Sequence, residues 1–303
     1  MDLLLLLLGL AGLFLGGEAL VRGAVGIAHR LAMPPLLIGL TVVGFGTSTP
    51  ELLVSVDSAL RGVPDIAIGN VVGSNIGNIL LILGLSAVIW PIRVSGTTLR
   101  RDSAVMVAAA LALIPVFWLG AMGRSAGLVL VIALAAYLAW AYIQQGTGAP
   151  GDTAAPRPIW QSFLWVVVGL AALMLGARFL VDGAVAIART AGISEAFIGL
   201  TIVAIGTSLP ELATSLIAAF RRQSEIAIGN IVGSNIFNVL GILGVTALIA
   251  PIPVAPRFLT FDLLVMIAAS LVLAALLMRA SMGRLVGIAL LVSYAVYVWA
   301  AQG

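Results

Sequence analysis

Apolar runs of about 20 residues recur along the whole chain, separated by short clusters of Arg, Asp, Pro and Gly. A helix rises about 1.5 Å per residue, so each run can cross about 30 Å of hydrocarbon. The breaks predict ten spans, near residues 3–28, 36–60, 66–90, 103–119, 126–143, 161–185, 196–219, 226–249, 261–278 and 285–301. The first run, MDLLLLLLGLAGLFLGGEAL, has an acidic Asp2 and no basic start, which predicts a retained helix rather than a cleaved signal. The long hydrophilic break, QQGTGAPGDTAAPRP over 144–158, is rich in Gly, Pro and Ala and predicts an extended linker.

The chain is a duplication. At an offset of 160 residues, 29 of the 49 positions in 36–84 are identical to those in 196–244. The offset maps Thr47 on Thr207, Pro50 on Pro210, Glu51 on Glu211, Ser74 on Ser234 and Asn78 on Asn238. The halves are 1–143 and 161–303, joined by the linker 144–160, with the strongest likeness between 36–90 and 196–250. Five spans per half is odd, so the second half must enter the membrane inverted. The arginines of the connections orient the whole. With both termini outside, nine lie inside (30, 93, 100, 101, 157, 221, 222, 279 and 284) and four outside (61, 124, 189 and 257). The linker is then cytoplasmic. Inverted repeats of this kind mark secondary transporters, whose substrate sites lie near the midplane between the repeats.

Composition sharpens the class. Hydrophobic residues make up 62% of the 303, charged residues 9%, and the mean hydropathy is +1.20, where a soluble domain has about 25% charged residues. This predicts an integral membrane protein embedded in a lipid bilayer. The absence of cysteine excludes disulfides, thiolate metal sites and cysteine nucleophiles. The basic balance rests on 15 arginines and no lysine. Since they fall mainly in short connections they read as topology signals, and no nucleic-acid partner is expected. The preference for Arg, Ala, Gly, Leu and Val points to a bacterial plasma (inner) membrane.

Two words interrupt this apolar sequence, each twice. The first is GFGTSTPELLVS at 44–55, repeated as AIGTSLPELATS at 204–215. A charge at the bilayer centre costs roughly 2.5–3.5 kcal/mol on insertion scales, so Glu51 and Glu211 are expected to face the protein interior with a task. Facing one another across a pseudo-twofold axis, they form a cavity of charge −2. Two close carboxylates repel, and either protons or a hard divalent cation resolves the conflict. Pro50 and Pro210 are expected to break their helices and free the carbonyls of Gly46 and Gly206. Such breaks are tolerated at membrane depth where they line a cavity. Thr47, Ser48, Thr207 and Ser208 add hydroxyls on the broken turns, although a Thr-Ser pair in a membrane helix also bonds back to its own backbone.

The second word is AIGNVVGSNIGNILLILG at 67–84, repeated as AIGNIVGSNIFNVLGILG at 227–244. Ser74 and Asn78 are four apart and share a helix face, as do Ser234 and Asn238, so their oxygens can complete a cage begun by the glutamates. Gly69 with Gly73, and Gly229 with Gly233, form small-xxx-small faces for close helix packing. Asn70, Asn75, Asn230 and Asn235 are assigned to helix-to-helix hydrogen bonds. Glu18 with Arg22, Arg178 with Asp182, and Asp57 with Arg61 are i,i+4 pairs near span ends, the first two with a gating role as the sharper alternative. His29 is expected at the interface, and Trp140, Tyr142, Trp160, Tyr294, Tyr297 and Trp299 in an aromatic belt.

GTSTPE with GNVVGSNIGN, and GTSLPE with GNIVGSNIFN, resemble the paired alpha-repeats of the cation/calcium exchanger superfamily, closest to its sodium/calcium exchanger branch. The resemblance covers both repeats in order. It implies an all-α fold of ten transmembrane helices in two inverted five-helix halves, with spans 1 and 6 sliding against a core of the others. It also implies Ca2+ ligands Glu51, Glu211, Thr47 and Thr207. The implied Na+ ligands are Glu51, Glu211, Thr47, Ser48, Ser74, Thr207, Ser208 and Ser234, with the carbonyls of Gly44 and Ala204. Asn78 and Asn238 take the remaining central positions. Some relatives carry an aspartate at one of these two; both are Asn here, which argues against K+ co-transport.

The expected function is therefore a secondary antiporter exchanging Ca2+ for Na+ by alternating access. A Ca2+/H+ antiporter on the same site is the alternative, since two protons neutralise two glutamates as one Ca2+ does; the hydroxyls of both halves favour Na+. No phosphate-binding GxxxxGK[ST] appears, so an ion gradient supplies the energy. An intramembrane hydrolase lacks HExxH and a nucleophile with its base, and a channel sits poorly with odd-span inverted repeats. No cofactor and no obligatory protein partner is expected. The linker is too short for the large Ca2+-sensing loop of animal exchangers.

Overall fold

The computed structural model describes residues 2–31, 33, 35–93, 97–144, 158–190, 204–279 and 281–301. Among these, the helices are α1 Asp2–Leu31, α2 Pro35–Thr47, α3 Thr49–Leu60, α4 Pro64–Ile89, α5 Thr97–Trp118, α6 Arg124–Ile143, α7 Ile159–Thr190, α8 Ala204–Gly206, α9 Leu209–Phe220, α10 Ser224–Ile249, α11 Phe258–Leu276 and α12 Arg284–Ala300. Seven are long and apolar enough to cross a membrane, and α2 with α3, bent by 43°, makes an eighth span. Of the remaining two expected spans, 196–219 is described only from residue 204, as α8 and α9, and 285–301 coincides with α12, an apolar helix of 17 residues. The linker at 145–157 also lies outside them.

Glycine explains how the two longest helices meet. In α1, Gly9, Gly16 and Gly23 recur every seven residues; at the 160 offset, α7 carries Gly169, Gly176 and Gly183. A Cβ on Gly16 would stand 2.7 Å from the Leu173 nitrogen, and one on Gly176 would stand 2.7 Å from the Leu13 nitrogen. The backbones therefore touch along an antiparallel crossing, the small-residue contact that membrane helices use.

The rest forms the core. A large apolar cluster joins α4 and α10 with α5, α6 and α11 around Ile76, Leu83, Leu113, Ile236 and Leu243. The glycine faces expected in the repeats are realised at Gly229 and Gly233, which meet the backbones of Gly39 and Leu40; the counterparts Gly199 and Leu200 lie outside the described residues. Two short strand pairs tie the halves at opposite ends. Ile92 pairs with Met282, and Met122 with Ile252. These are the same contact applied twice, since the offset carries 92 to 252 and 122 to 282. The turns leading into α4 and α10 also correspond. Gly62 has φ +74, and its counterpart Arg222 has φ +61, a left-handed conformation that only glycine takes freely. The Arg222 guanidinium stacks 4.5 Å over the Trp90 ring, a contact that helps hold that backbone.

Candidate cation site

Each half contributes one broken helix and one continuous one. Ser48, at φ −82 and ψ 7, leaves helical geometry between α2 and α3; Ser208, at φ −89 and ψ 6, does the same before α9. The prolines fall in the first turn of the following helix, where a missing N–H costs nothing. The break thus falls two residues before each proline, one residue earlier than the proline rule places it. Its product is a fresh helix N-terminus, and Glu51 and Glu211 occupy that first turn, where the partial positive charge of the helix end favours a carboxylate. Both are buried, at 1% and 2% exposure.

The acids are held by hydroxyls from the opposite half. Ser48 donates to Glu211 Oε1 at 3.0 Å, and Ser208 to Glu51 Oε1 at 3.3 Å. Ser74 Oγ lies 3.2 Å from Ser208 Oγ, and Ser234 donates to the Gly44 carbonyl at 3.2 Å. Thr47 bonds back to the carbonyls of Val43 and Gly44, and its hydroxyl also lies 3.1 Å from Asn230 Oδ1. Thr207 lies 3.5 Å from Asn70 Oδ1. The expected residues therefore fall into two mirrored sets, each joining the halves: Thr47, Ser48, Glu211 and Ser234 in one, and Thr207, Ser208, Glu51 and Ser74 in the other. Ala204 opens α8, three residues before Thr207.

Asn70 and Asn230 fasten these sets to the continuous helices. Asn70 donates to the Glu51 carbonyl at 3.0 Å and to Ser55 at 2.9 Å; Asn230 donates to the Glu211 carbonyl at 3.3 Å and to Ser215 at 2.9 Å. They are helix-to-helix bonds, as expected. On α4 and α10 the backbone widens into π-type turns at Asn78–Ile82 and Phe237–Leu243, with Asn78 and Asn238 in their first two positions.

Among the described residues, nine buried side-chain atoms lack a hydrogen-bond partner, and four are Glu51 Oε2, Glu211 Oε2, Asn78 Oδ1 and Asn238 Oδ1. These are two carboxylate and two amide oxygens at mirrored positions. Buried polar atoms are nearly always satisfied, so such a set calls for a partner that carries positive charge. Oxygens of these types suit a hard cation such as Ca2+ or Na+.

One cavity touches these sets, while another, of about 210 Å³ between Phe14, Glu18, Ile217 and Arg221, lies on the α1–α9 face and includes none of their residues. The first, of about 320 Å³, runs from Pro50, Thr207 and Pro210 past Val54 and Met174 to Arg178 and Asp182 on α7. On the opposite face, α1 packs directly on α9. Gly17 stands so close to Ile217 that a Cβ there would meet its Cδ1 at 2.6 Å. Arg221, just beyond α9, grips Glu18 of α1 with two bonds of 2.8 and 2.7 Å. Glu18 also keeps its expected partner Arg22 at 2.9 Å. The corresponding groups on the open face pair within their own helices, Arg61 with Asp57 at 2.7 Å and Arg178 with Asp182 at 3.8 Å.

Three features escaped the sequence reading. The Glu18–Arg221 contact joins residues 203 apart, and no spacing signals it. Asp102 and Asp262 are buried and held by Arg101 and Arg257. Tyr297, expected in the aromatic belt, instead donates to Asp262 at 3.1 Å, while its counterpart Tyr137 is buried beside Asp102. The 160 offset maps Asp102 on Asp262 and Tyr137 on Tyr297, and that identity was the available signal. Trp140, Tyr142, Trp160 and Trp299 are exposed, as a belt requires.

Known proteins share this build. A family model described as sodium/calcium exchanger protein matches residues 1–143 and 161–302. The inner membrane protein YrbG of Escherichia coli (strain K12) is 36% identical, over 98% of this chain and 95% of that protein. The sodium/calcium exchanger MaX1 of Methanosarcina acetivorans is 31% identical, over 90% of each. The solved structure of the sodium-calcium exchanger NCX_Mj, soaked with 10 mM Na+ and 10 mM Sr2+, is 35% identical with a TM-score of 0.86, covering 100% of this chain and 98% of that one.

Proposed function

The chain belongs to the sodium/calcium exchanger protein family, and on that premise we propose that it exchanges Ca2+ for Na+ across a bacterial inner membrane, with both ions competing for a site built on Glu51 and Glu211. It is a membrane antiporter of an exchanger family and not an enzyme. The observation that carries the ion reading is the mirrored set of four unpartnered oxygens, Glu51 Oε2, Glu211 Oε2, Asn78 Oδ1 and Asn238 Oδ1. Ca2+ accepts six to eight oxygens in loose geometry; the two carboxylates match its charge, and amides, hydroxyls and carbonyls make up the number. The hydroxyls of Thr47, Ser48, Ser74, Thr207, Ser208 and Ser234, with the Gly44 and Ala204 carbonyls, supply the smaller shells that several Na+ ions need. One set of acids cannot serve both occupants, and this competition couples the fluxes.

A cavity at the site on one face and close helix packing on the other support alternating access. With both termini outside, the open cavity at Arg178 and Asp182 faces outward, and the Glu18–Arg221 contact seals the inner face. Ten spans in two inverted halves relate the two faces, so sliding α1 and α7 along their glycine crossing exchanges them. The test is Ca2+ uptake into proteoliposomes loaded with Na+, K+ or a proton gradient. Uptake that follows Na+ and is lost in Glu51→Gln and Glu211→Gln supports the reading. Uptake that ignores Na+ and follows pH moves the counter-ion to H+, and uptake surviving both substitutions removes the site.

A further inference from the structure

The central amides are ordered by constraints that begin at backbone atoms. Asn75 Nδ2 lies 3.3 Å from the Asn235 carbonyl, and Asn235 Nδ2 lies 3.5 Å from the Asn75 carbonyl. A carbonyl only accepts, so both amides must turn their nitrogens toward the partner backbone. The sulfurs of Met266 and Met106, weak acceptors at 3.5 and 3.7 Å, lie on the same nitrogen sides. What Asn75 and Asn235 then present is oxygen. Asn238 Nδ2 donates to Asn75 Oδ1 at 3.0 Å, and Asn78 Nδ2 donates to Asn235 Oδ1 at 3.0 Å. The nitrogens of Asn78 and Asn238 are thereby directed at the opposite half. Their oxygens are left on the other side, buried and without a partner.

We propose that Asn75 and Asn235 are positioning residues for the transported cation: they hold the Asn78 and Asn238 amides with oxygen, not N–H, toward it. A flipped amide would aim two partial positive charges at the ion. The inference rests on the reading that the cation binds between Glu51 and Glu211. It goes beyond that reading because neither Asn75 nor Asn235 is a ligand in it. Partners that orient a ligand typically change metal affinity by about 10–100-fold when lost.

The test uses Ca2+ titration of the full chain in lipid nanodiscs, with folding checked by thermal melting. Asn235→Leu keeps the shape but cannot accept the Asn78 N–H, and Ca2+ binding should weaken by about 10–100-fold. Asn235→Asp retains an acceptor there and should keep most of the affinity. Asn78→Ala should weaken binding too, and Asn235→Leu added to it should change little further, since both remove one oxygen. Wild-type affinity in Asn235→Leu, full additivity with Asn78→Ala, or an aspartate variant as weak as the leucine one overturns the proposal. If Asn235→Leu does not fold, Asn75→Leu is read through Asn238. Failure of both to fold assigns the pair to folding alone and also overturns it. A wild-type protein that binds no Ca2+, or a Glu51→Gln variant that binds it unchanged, refutes the underlying site instead.

Discussion

Replacing Glu18 by Gln removes the charge that seals one face. The Glu18–Arg221 contact is bidentate, at 2.8 and 2.7 Å, with side chains 19% and 52% exposed. Exposed ion pairs contribute about 0.2–1 kcal/mol, and two-pronged geometry places this one near the upper end. Glutamine still offers one oxygen to Arg221, so the loss is at most about 1 kcal/mol, or roughly a two- to five-fold shift in a two-state equilibrium. The reporter follows from the duplication. Val54 lines the open cavity; its counterpart at the 160 offset is Thr214, fully buried with an unpartnered hydroxyl. The chain has no cysteine, so Thr214→Cys gives a single thiol that a charged maleimide reaches only when α1 moves off α9. Labelling in nanodiscs should be about two to five times faster with Glu18→Gln. Asp182→Asn removes the acid that Arg61 would find when the open face closes, and it should slow labelling. Equal rates in Glu18→Gln and its parent, or faster labelling in Asp182→Asn, would refute the paired-latch reasoning.

Further outcomes are expected. Glu51→Gln or Glu211→Gln should weaken Ca2+ binding by more than the roughly 10–100-fold seen when a supporting partner of a ligand is lost, measured by titration. Asn230→Ala removes two buried hydrogen bonds, to Glu211 O and Ser215, and should cost about 1–3 kcal/mol in thermal stability. Gly176→Val sets a side chain against the backbone of Leu13 and Gly12, which neither helix can yield cheaply. It should destabilise by about 1–3 kcal/mol, and exchange in proteoliposomes should slow more than Ca2+ binding weakens.

The candidate site was legible because the membrane makes every polar residue conspicuous. Glu51 costs too much at bilayer depth to be incidental, and the recurrence of Glu51, Thr47 and Asn78 at 160 residues grouped them before any contact was known. The proline rule located the breaks only to within one residue. Pro50 begins the new helix, and Ser48 is the residue that departs from helical geometry.

What the chain determined by itself is the duplication, the apolar spans and the set of oxygen-bearing side chains, since each follows from local hydropathy and a fixed offset. Which atoms of those side chains face one another was decided by folding. The direction of the Asn78 amide depends on Asn235 and on a backbone carbonyl in the other half, and a residue type carries no orientation. The grip of Arg221 on Glu18 likewise arises only when α9 lies against α1. The 160 offset carries Glu18 to Arg178 and Arg221 to Arg61, so this pair has no like-for-like copy on the other face, where the nearest acid on α7 is Asp182, one turn from Arg178.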